Sequence, residues 1–221
     1  PNFIPLKKDI SVVTLKTTGI TESKLYILLK NFIVKNKQKI KLSFLPHFTG
    51  VNIRISTLDN SCLDKLTIEE VKEKIGICCY GEDEQTLESV VSNLLIKKNL
   101  TISIAESCTA GLLSKKLTDF SGSSNYFLGS IIAYSNDIKN KILKVSDKIL
   151  INKGAVSSET ALIMSENIIN LFDSDIGISI TGISGPDGGT SDKPVGLCYI
   201  SIKYGKIHSY KNFTFNILRH Y

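Results

Sequence analysis

The stretch Thr101–Gly111 constrains the fold of this chain more than any other. Its first residues, Thr101–Ala105, alternate in the manner of a β-strand and are rich in β-branched side chains. The strand pattern stops at Glu106 and Ser107, and leucines at helical spacing follow at once. The sequence therefore predicts a strand that passes directly into a helix, with Ser107 at the turn.

A serine in that position has two interpretations. Its hydroxyl would lie at the rim of a sheet, beside the first free N–H groups of the helix, which can receive an anion. Serine is also a common cap of helix N-termini, without any chemical role. Taken alone, the stretch favours the cap, and only the surrounding motifs make Ser107 a candidate nucleophile.

Helix and strand patterns alternate on both sides of a polar turn at Gly81–Glu84. Residues 1–80 predict a small β-α-β-β-α-β domain, and residues 81–221 predict a layered α/β/α domain with a mixed sheet. The fold class is therefore α/β. Expected strands are Asp9–Thr18, Ile40–Leu45, Val51–Leu58, Ile77–Tyr80, Thr101–Ala105, Tyr126–Tyr134, Ile176–Thr181, Val195–Tyr204 and Ile207–Phe215, and expected helices include Asp64–Ile75, Glu84–Lys98 and Ser157–Phe172.

Charge and cysteine usage limit the partners. The formal net charge is +6, and nine lysines lie between Lys7 and Lys41. Such a run can contact nucleic acid, but no recognition motif accompanies it, so a solvated surface is favoured. Residues 1–80 also lack the Gly-x-x-Gly loop with which a KH-like domain would clamp a nucleic-acid backbone. Five cysteines without Cys-x-x-Cys spacing indicate a reducing cytoplasm. With no membrane-length apolar run and no signal peptide, no membrane partner is expected.

Candidate catalytic groups follow from what the chain lacks. No histidine lies near Ser107, so a Ser-His-Asp triad is not expected, and none of the three histidines is spaced as a metal ligand pair. A lysine can replace the histidine if desolvation lowers its pKa. Lys139, five residues after Tyr134 at a strand-helix turn, is the best placed, although most lysines are surface residues. Cys108 is the rival nucleophile, and a small buried residue is the commoner case there.

A glycine-rich loop at Thr181–Thr190 supplies a third candidate. Its exposed N–H groups can hold an anion. It matches neither a Walker A motif nor Gly-x-Gly-x-x-Gly, so a wide surface loop is an equally good interpretation. Because open α/β sheets bind ligands at strand ends, we expect this loop, Ser107 and the Tyr134–Lys139 turn to converge.

Six short motifs follow one another along the second domain. They are Ala-Glu-Ser-Cys-Thr-Ala-Gly (105–111), Gly-Ser-Ser (122–124), Ala-Tyr-Ser-Asn-Asp-Ile-Lys (133–139), Gly-Ala-Val-Ser (154–157), Thr-Gly-Ile-Ser-Gly-Pro-Asp-Gly-Gly-Thr (181–190) and Lys-Pro-Val-Gly (193–196). In this order they resemble the CinA family, and most closely its C-terminal nicotinamide-nucleotide amidohydrolase domain. The first 80 residues resemble the family's KH-like middle domain more weakly.

The resemblance implies an amidohydrolase that converts nicotinamide mononucleotide to nicotinate mononucleotide and ammonia, in pyridine nucleotide salvage, with no metal or organic cofactor. It implies Ser107 as nucleophile and Lys139 as general base. Tyr134 is implied to support proton transfer, and Thr181 to orient the reacting groups. Arg219 is implied to bind the substrate phosphate. The other implied substrate-binding residues are Thr109, Gly182, Gly185, Gly188 and Gly189.

The chain departs from the family pattern at Ala110, where glycine is common, and at Ile217-Leu218, where Gly-Asp usually precedes the arginine. It begins at Pro1 without a methionine, as a fragment would, and stops before the family's last helix. Family members commonly associate, so the resemblance allows a homo-oligomer, while the sequence itself does not determine the oligomeric state. The alternative function is a non-catalytic CinA-like binding module linked to competence or the DNA damage response, with a decayed amidase site and a basic first domain that contacts nucleic acid.

Overall fold

The computed structural model describes residues 12–47, 49–58 and 62–215. The chain divides between Val90 and Val91 into two compact units.

The first unit is a four-stranded antiparallel sheet with two helices, in strand order β2-β3-β1-β4. Alternate residues of β3 (Val51, Ile53, Ile55) are buried, as are Leu25 and Leu29 of α1. This is the predicted KH-like β-α-β-β-α-β arrangement. Its elements are β1 (Val12–Thr17), α1 (Glu22–Asn36), β2 (Ile40–His47), β3 (Gly50–Thr57), α2 (Lys65–Ile75) and β4 (Cys79–Glu82).

The strand predicted at Ile77–Tyr80 is shifted. Gly76 has a φ of 63° and is the first residue of a 3-10 turn over Gly76–Cys78, in which Ile77 is fully exposed. Sheet pairing begins only at Cys79, opposite Thr17 of β1. Gly76, whose positive φ is readily adopted only by glycine, ends α2, and the strand therefore begins two residues later than predicted.

The second unit is built on a five-stranded mixed sheet in the order β6-β5-β7-β8-β9. Strand β5 pairs in parallel with β6 and β7, whereas β7, β8 and β9 are antiparallel. The mixed sheet predicted from the sequence is thereby confirmed. The elements are α3 (Leu87–Lys98), which includes the division between the units, β5 (Ile102–Glu106), α4 (Leu112–Thr118), β6 (Phe127–Ile132), α5 (Asn136–Lys141), α6 (Asp147–Asn152), α7 (Ser158–Phe172), β7 (Ile176–Gly182), β8 (Leu197–Tyr204) and β9 (Ile207–Thr214).

Strand β5 is buried along its whole length and contributes to a core on each face of the sheet. Ala105 packs in a cluster with Met164 and Ile168 of α7. Ile102 and Ile104 belong to the other cluster, which contains residues of α3 and α4. Because both faces of β5 are covered, its carboxyl end is the natural place where a buried polar group can be held.

Two helices of the second unit differ from the prediction. Helix α3 begins at Leu87 rather than Glu84, because Thr86 and Ser89 form a reciprocal cap: the Ser89 N–H donates to Thr86 Oγ1 (3.1 Å) and the Thr86 N–H to Ser89 Oγ (3.0 Å). Helix α6 was not predicted. It has six residues, too few for a periodic pattern, and begins at the cap Ser146.

The fold predicts a measurable role for Tyr126, whose side chain is fully buried. Its hydroxyl group shares a hydrogen bond with Ser92 Oγ (2.8 Å) and donates to the Leu117 carbonyl (2.5 Å). We expect Tyr126→Phe to lower the free energy of unfolding by about 1–3 kcal/mol, because the Leu117 carbonyl loses a buried donor. Chemical denaturation measures this, with Tyr204→Phe, at a 40% exposed position, as the control. An unchanged free energy of unfolding in Tyr126→Phe would contradict a stabilising role of the Tyr126 hydroxyl.

Candidate active site

The carboxyl ends of the parallel strands β5, β6 and β7 lie at one edge of the sheet. This edge brings together the Ser107 turn, the residues that follow β6 and the glycine-rich loop that follows β7. They enclose a cavity of about 460 Å³, so the expected convergence occurs. The lining residues are Ser107, Cys108, Tyr134, Gly182, Ile183, Ser184, Gly185, Pro186, Asp187 and Gly188.

The amine of Lys139 reaches Ser107 from the last turn of α5. Its Nζ lies 2.9 Å from Ser107 Oγ, 2.7 Å from the Ala133 carbonyl oxygen and 3.3 Å from the Tyr134 carbonyl oxygen. Lys139 is 2% exposed and Ser107 6% exposed. A lysine that is this deeply buried is rare. Among the described residues, the atoms that accept hydrogen bonds from it are all neutral oxygens.

Burial lowers the pKa of Lys139 below its ordinary value of 10.5. The Cys108 thiol, when ionised, raises the pKa by a smaller amount. Desolvation disfavours the charged form of an amine, and a carbonyl oxygen compensates a positive charge less than a carboxylate does. The site therefore favours the neutral amine, the form that can accept a proton.

The Ser107 turn is shaped by Glu106, a residue to which the sequence motifs assigned no role. The Glu106 carboxylate accepts from the N–H groups of Gly111 (3.1 Å), Leu113 (3.1 Å) and Ser114 (2.8 Å), and from the Ser114 hydroxyl (2.5 Å). The alternative interpretation, in which Ser107 caps the helix, is therefore wrong, because the N-cap of α4 is Gly111. The expectation that the first N–H groups of the helix are free for a ligand is also wrong, because the buried Glu106 carboxylate already accepts from them.

The ionised state of Glu106 is maintained by these contacts. Burial alone raises the pKa of a carboxyl group, but the hydrogen bonds from the Ser114 side chain and from the backbone outweigh it and lower the pKa. A negative charge at the start of a helix is favourable in itself. Acid and helix therefore stabilise one another, and the turn between them carries Ser107.

Cys108 also lies in the cavity, next to Cys198. A hydrogen bond from the Cys198 thiol lowers the pKa of Cys108, against the effect of burial, and the pKa of Cys198 is raised by the same hydrogen bond. Gly182 permits this packing, since a Cβ there would lie 3.0 Å from the Cys108 sulfur and 2.8 Å from the Leu197 carbonyl oxygen. Cys108 remains a rival nucleophile by position.

The other predicted residues divide into three groups. Tyr134, which is 59% exposed, lines the cavity together with Gly182, Gly185 and Gly188. The Thr181 hydroxyl instead donates to the Ala155 carbonyl (2.8 Å), and Thr181, Thr109 and Gly189 are absent from the lining formed by the described residues. Arg219 lies outside the described residues.

Two further residues, Ser184 in the glycine-rich loop and Lys193 just after it, had no role assigned from the sequence. Ser184 lines the cavity, and its hydroxyl donates to the Cys108 carbonyl at 3.5 Å. The Lys193 amine donates to the carbonyls of Val156 (2.7 Å) and Lys153 (2.5 Å). These hydrogen bonds connect the chain after the loop to the segment before α7. The contacts of Lys193 could have been suspected from the Lys-Pro-Val-Gly motif that this residue begins.

Neither a metal-binding cluster nor a membrane-spanning helix occurs among the described residues. No group of three or more histidine, cysteine or acidic side chains in residues 12–47, 49–58 and 62–215 could hold a metal ion. Among the helices in this part of the chain, none combines the length and the hydrophobicity needed to span a lipid bilayer.

Comparison with known families matches both units. Residues 84–220 match the CinA C-terminal domain, and residues 13–81 match the damage-inducible protein CinA KH domain. A CinA-like protein of Dictyoglomus thermophilum is 50% identical over 144 residues, which cover 65% of this chain and 35% of that protein. A relative from Desulforudis audaxviator is 40% identical over 192 residues, or 85% of this chain and 46% of its own length. The chain thus spans less than half of these curated relatives.

Two solved structures resemble part of the chain. The CinA superfamily protein of Escherichia coli is 30% identical, with a TM-score of 0.59, over 61% of this chain and 78% of that one. The competence/damage inducible protein CihA of Agrobacterium tumefaciens is 33% identical, with a TM-score of 0.57, over 61% of this chain and 82% of that one.

The burial of Lys139 has a consequence for stability that does not depend on any activity. Because the pKa of Lys139 is lower in the folded chain, the unfolded chain binds more protons between that value and 10.5, and stability rises with pH through this window. We expect Lys139→Met to remove this rise and to increase the free energy of unfolding at pH 7 by on the order of 1 kcal/mol. Denaturation at a series of pH values measures both effects. A variant that is strongly destabilised at pH 7 would contradict the lowered pKa.

Proposed function

Since this chain belongs to the CinA family, we propose that its second unit is an amidohydrolase that cleaves the carboxamide of nicotinamide mononucleotide, giving nicotinate mononucleotide and ammonia. The observation that carries the proposal is the 2.9 Å contact between Lys139 Nζ and Ser107 Oγ at the wall of the cavity. A serine and a desolvated lysine form a nucleophile and base that need no histidine.

The carbonyl groups around Lys139 orient its lone pair. A neutral amine has two N–H bonds and one lone pair, and the carbonyl oxygens of Ala133 and Tyr134 can only accept. When both N–H bonds are directed to these oxygens, the lone pair faces the Ser107 hydroxyl. Lys139 then accepts the serine proton as the oxygen attacks the amide carbon.

The attack places a negative charge on the amide oxygen. The N–H groups of Gly111, Leu113 and Ser114 are engaged by Glu106, and that of Ala110 donates to the Ser107 carbonyl. Those of Cys108 and Thr109 follow the nucleophile directly, and among the described residues no carbonyl accepts from them. We assign the oxyanion to these two groups, where a single donor is worth roughly 10²-fold or more in rate.

The remaining steps return the enzyme to its starting state. Protonated Lys139 gives its proton to the amide nitrogen, the C–N bond breaks and ammonia leaves, so that Ser107 carries a nicotinoyl ester. Water then loses a proton to Lys139 and attacks this ester, and the serine oxygen regains the proton as nicotinate mononucleotide departs. Tyr134, at the cavity rim, is assigned to proton transfer.

The substrate assignment uses the size and composition of the cavity. A volume of about 460 Å³ lies in the range of sites for small ligands. We assign the phosphate to N–H groups of the loop at Gly182, Gly185 and Gly188 and to Arg219, whose guanidinium group matches phosphate geometry. Thr181 orients the site indirectly, through its hydrogen bond to Ala155. The proposed reaction needs no cofactor, membrane or nucleic acid.

Ammonia release from nicotinamide mononucleotide tests the proposal. We expect the chain to release ammonia, and Ser107→Ala to lower kcat by roughly 10⁴-fold or more, since the nucleophile is lost. Cys108→Ala is the matched control at the neighbouring position and should retain turnover within about tenfold. No ammonia from the folded chain would favour a non-catalytic binding module. Full turnover by Ser107→Ala together with its loss in Cys108→Ala would reassign the nucleophile.

The pH dependence tests the base. Activity requires neutral Lys139, so kcat/KM should fall as the pH drops through the lowered pKa of that amine and should be constant above it. Lys139→Arg keeps a cation of similar length that cannot lose its proton, and we expect about a 10³-fold loss at every pH. Substantial activity of Lys139→Arg would exclude a lysine base. The exposed substitution Lys141→Arg serves as the control.

A further inference from the structure

Glu106 is the most completely coordinated acid near the proposed site. Its side chain is fully buried, and four donors from Gly111, Leu113 and Ser114 occupy both carboxylate oxygens. It does not line the cavity, so a ligand there has no contact with it. A buried charge with this many partners is a strong restraint on the residues that supply them.

The main chain of the same residue connects the two halves of the Ser107–Lys139 pair. The Glu106 carbonyl accepts from the N–H of Ala133 (2.7 Å), and the Ala133 carbonyl accepts from Lys139 Nζ (2.7 Å). On the other side, Glu106 is bonded directly to Ser107. A displacement of Glu106 is therefore passed directly to the nucleophile, and through Ala133 to the base.

The turn held by Glu106 has an unfavourable backbone. Ala110 has a φ of 49° and Gly111 a φ of 99°, so two successive residues are left-handed. Alanine in this region is disfavoured and persists only where surrounding contacts require it. The hydrogen bond from the Gly111 N–H to the Glu106 carboxylate is such a contact, and it is made at the end of the turn that contains the N–H groups of Cys108 and Thr109.

We infer that Glu106 is a positioning residue for the amide hydrolysis: by holding the 107–111 turn it keeps Ser107 Oγ against Lys139 and keeps the N–H groups of Cys108 and Thr109 aimed at the amide oxygen. The inference rests on the proposed function. It requires the charge of Glu106, because an amide of the same shape has one oxygen to accept four hydrogen bonds and turns its NH₂ group toward other donors.

The test is Glu106→Gln, measured with nicotinamide mononucleotide alongside the parent chain. We expect kcat to fall by about 100-fold with KM within twofold, because a misplacement of about 1 Å has this effect on rate and the ligand itself touches nothing at position 106. Ser146→Ala is the matched control. It removes a helix cap of the same unit, and it should lower the melting temperature while kcat stays within twofold.

Labelling of Ser107 by a fluorophosphonate separates this inference from the proposed function, since it needs no pyridine nucleotide. If the parent chain is labelled but releases no ammonia, the substrate assignment fails, and a slower labelling of Glu106→Gln still supports the positioning role. Equal kcat and equal labelling rates in the parent and Glu106→Gln would overturn it. So would a rise of KM with kcat unchanged.

If Glu106→Gln does not fold, a second variant tests the inference. Ser114→Ala removes one of the four donors and keeps the carboxylate, and we expect a three- to tenfold lower kcat at unchanged KM. An unchanged kcat in a folded Ser114→Ala variant, taken with an unfolded Glu106→Gln, would assign Glu106 to stability alone and contradict the inference.

Discussion

The desolvation of one lysine amine is the condition on which the rest of the site depends. Lys139 can be buried because two main-chain carbonyls at the end of β6 accept its N–H bonds. Carbonyl partners satisfy the hydrogen bonds without supplying the negative charge that would stabilise an ammonium ion. The same contacts that make the burial tolerable therefore favour the neutral amine, and they direct it to the serine hydroxyl.

The sheet explains why such an arrangement is stable. Ser107 and Ala133 follow the parallel strands β5 and β6, and Thr181 lies near the end of β7. Strand β5, between the other two, is covered on both faces. Packing fixes the ends of these strands to within small displacements, so the groups they carry are held in place before a ligand arrives. The buried charge of Glu106 adds a polar restraint at the point where hydrophobic packing ends and the turn begins.

Much of this arrangement was predictable because it follows from local patterns and one topological rule. The strand-to-helix turn at Ser107 is visible in the spacing of apolar residues, and parallel strands bring their carboxyl ends together. The same rule predicts that Lys139, which lies after the next strand, comes close to Ser107. Lysine rather than histidine was the predicted base because no histidine lies near Ser107 in the sequence. The antiparallel KH-like sheet and the mixed sheet were predictable for the same reason, since the order of elements leaves few alternatives.

What escaped prediction depends on contacts that sequence spacing does not encode. The sequence does not show whether the glutamate before Ser107 faces solvent or accepts hydrogen bonds from the start of a helix. That contact depends on the left-handed backbone at Ala110 and Gly111, which turns the start of α4 toward the Glu106 carboxylate. The hydrogen bond from the Thr181 hydroxyl to the Ala155 carbonyl is another contact that spacing does not predict.

The central claim is tested most directly by NMR titration of ¹³C-labelled lysine side chains, with Lys139→Met to assign the signal. The account predicts a midpoint for Lys139 below 10.5, and a midpoint at or above 10.5 would contradict it.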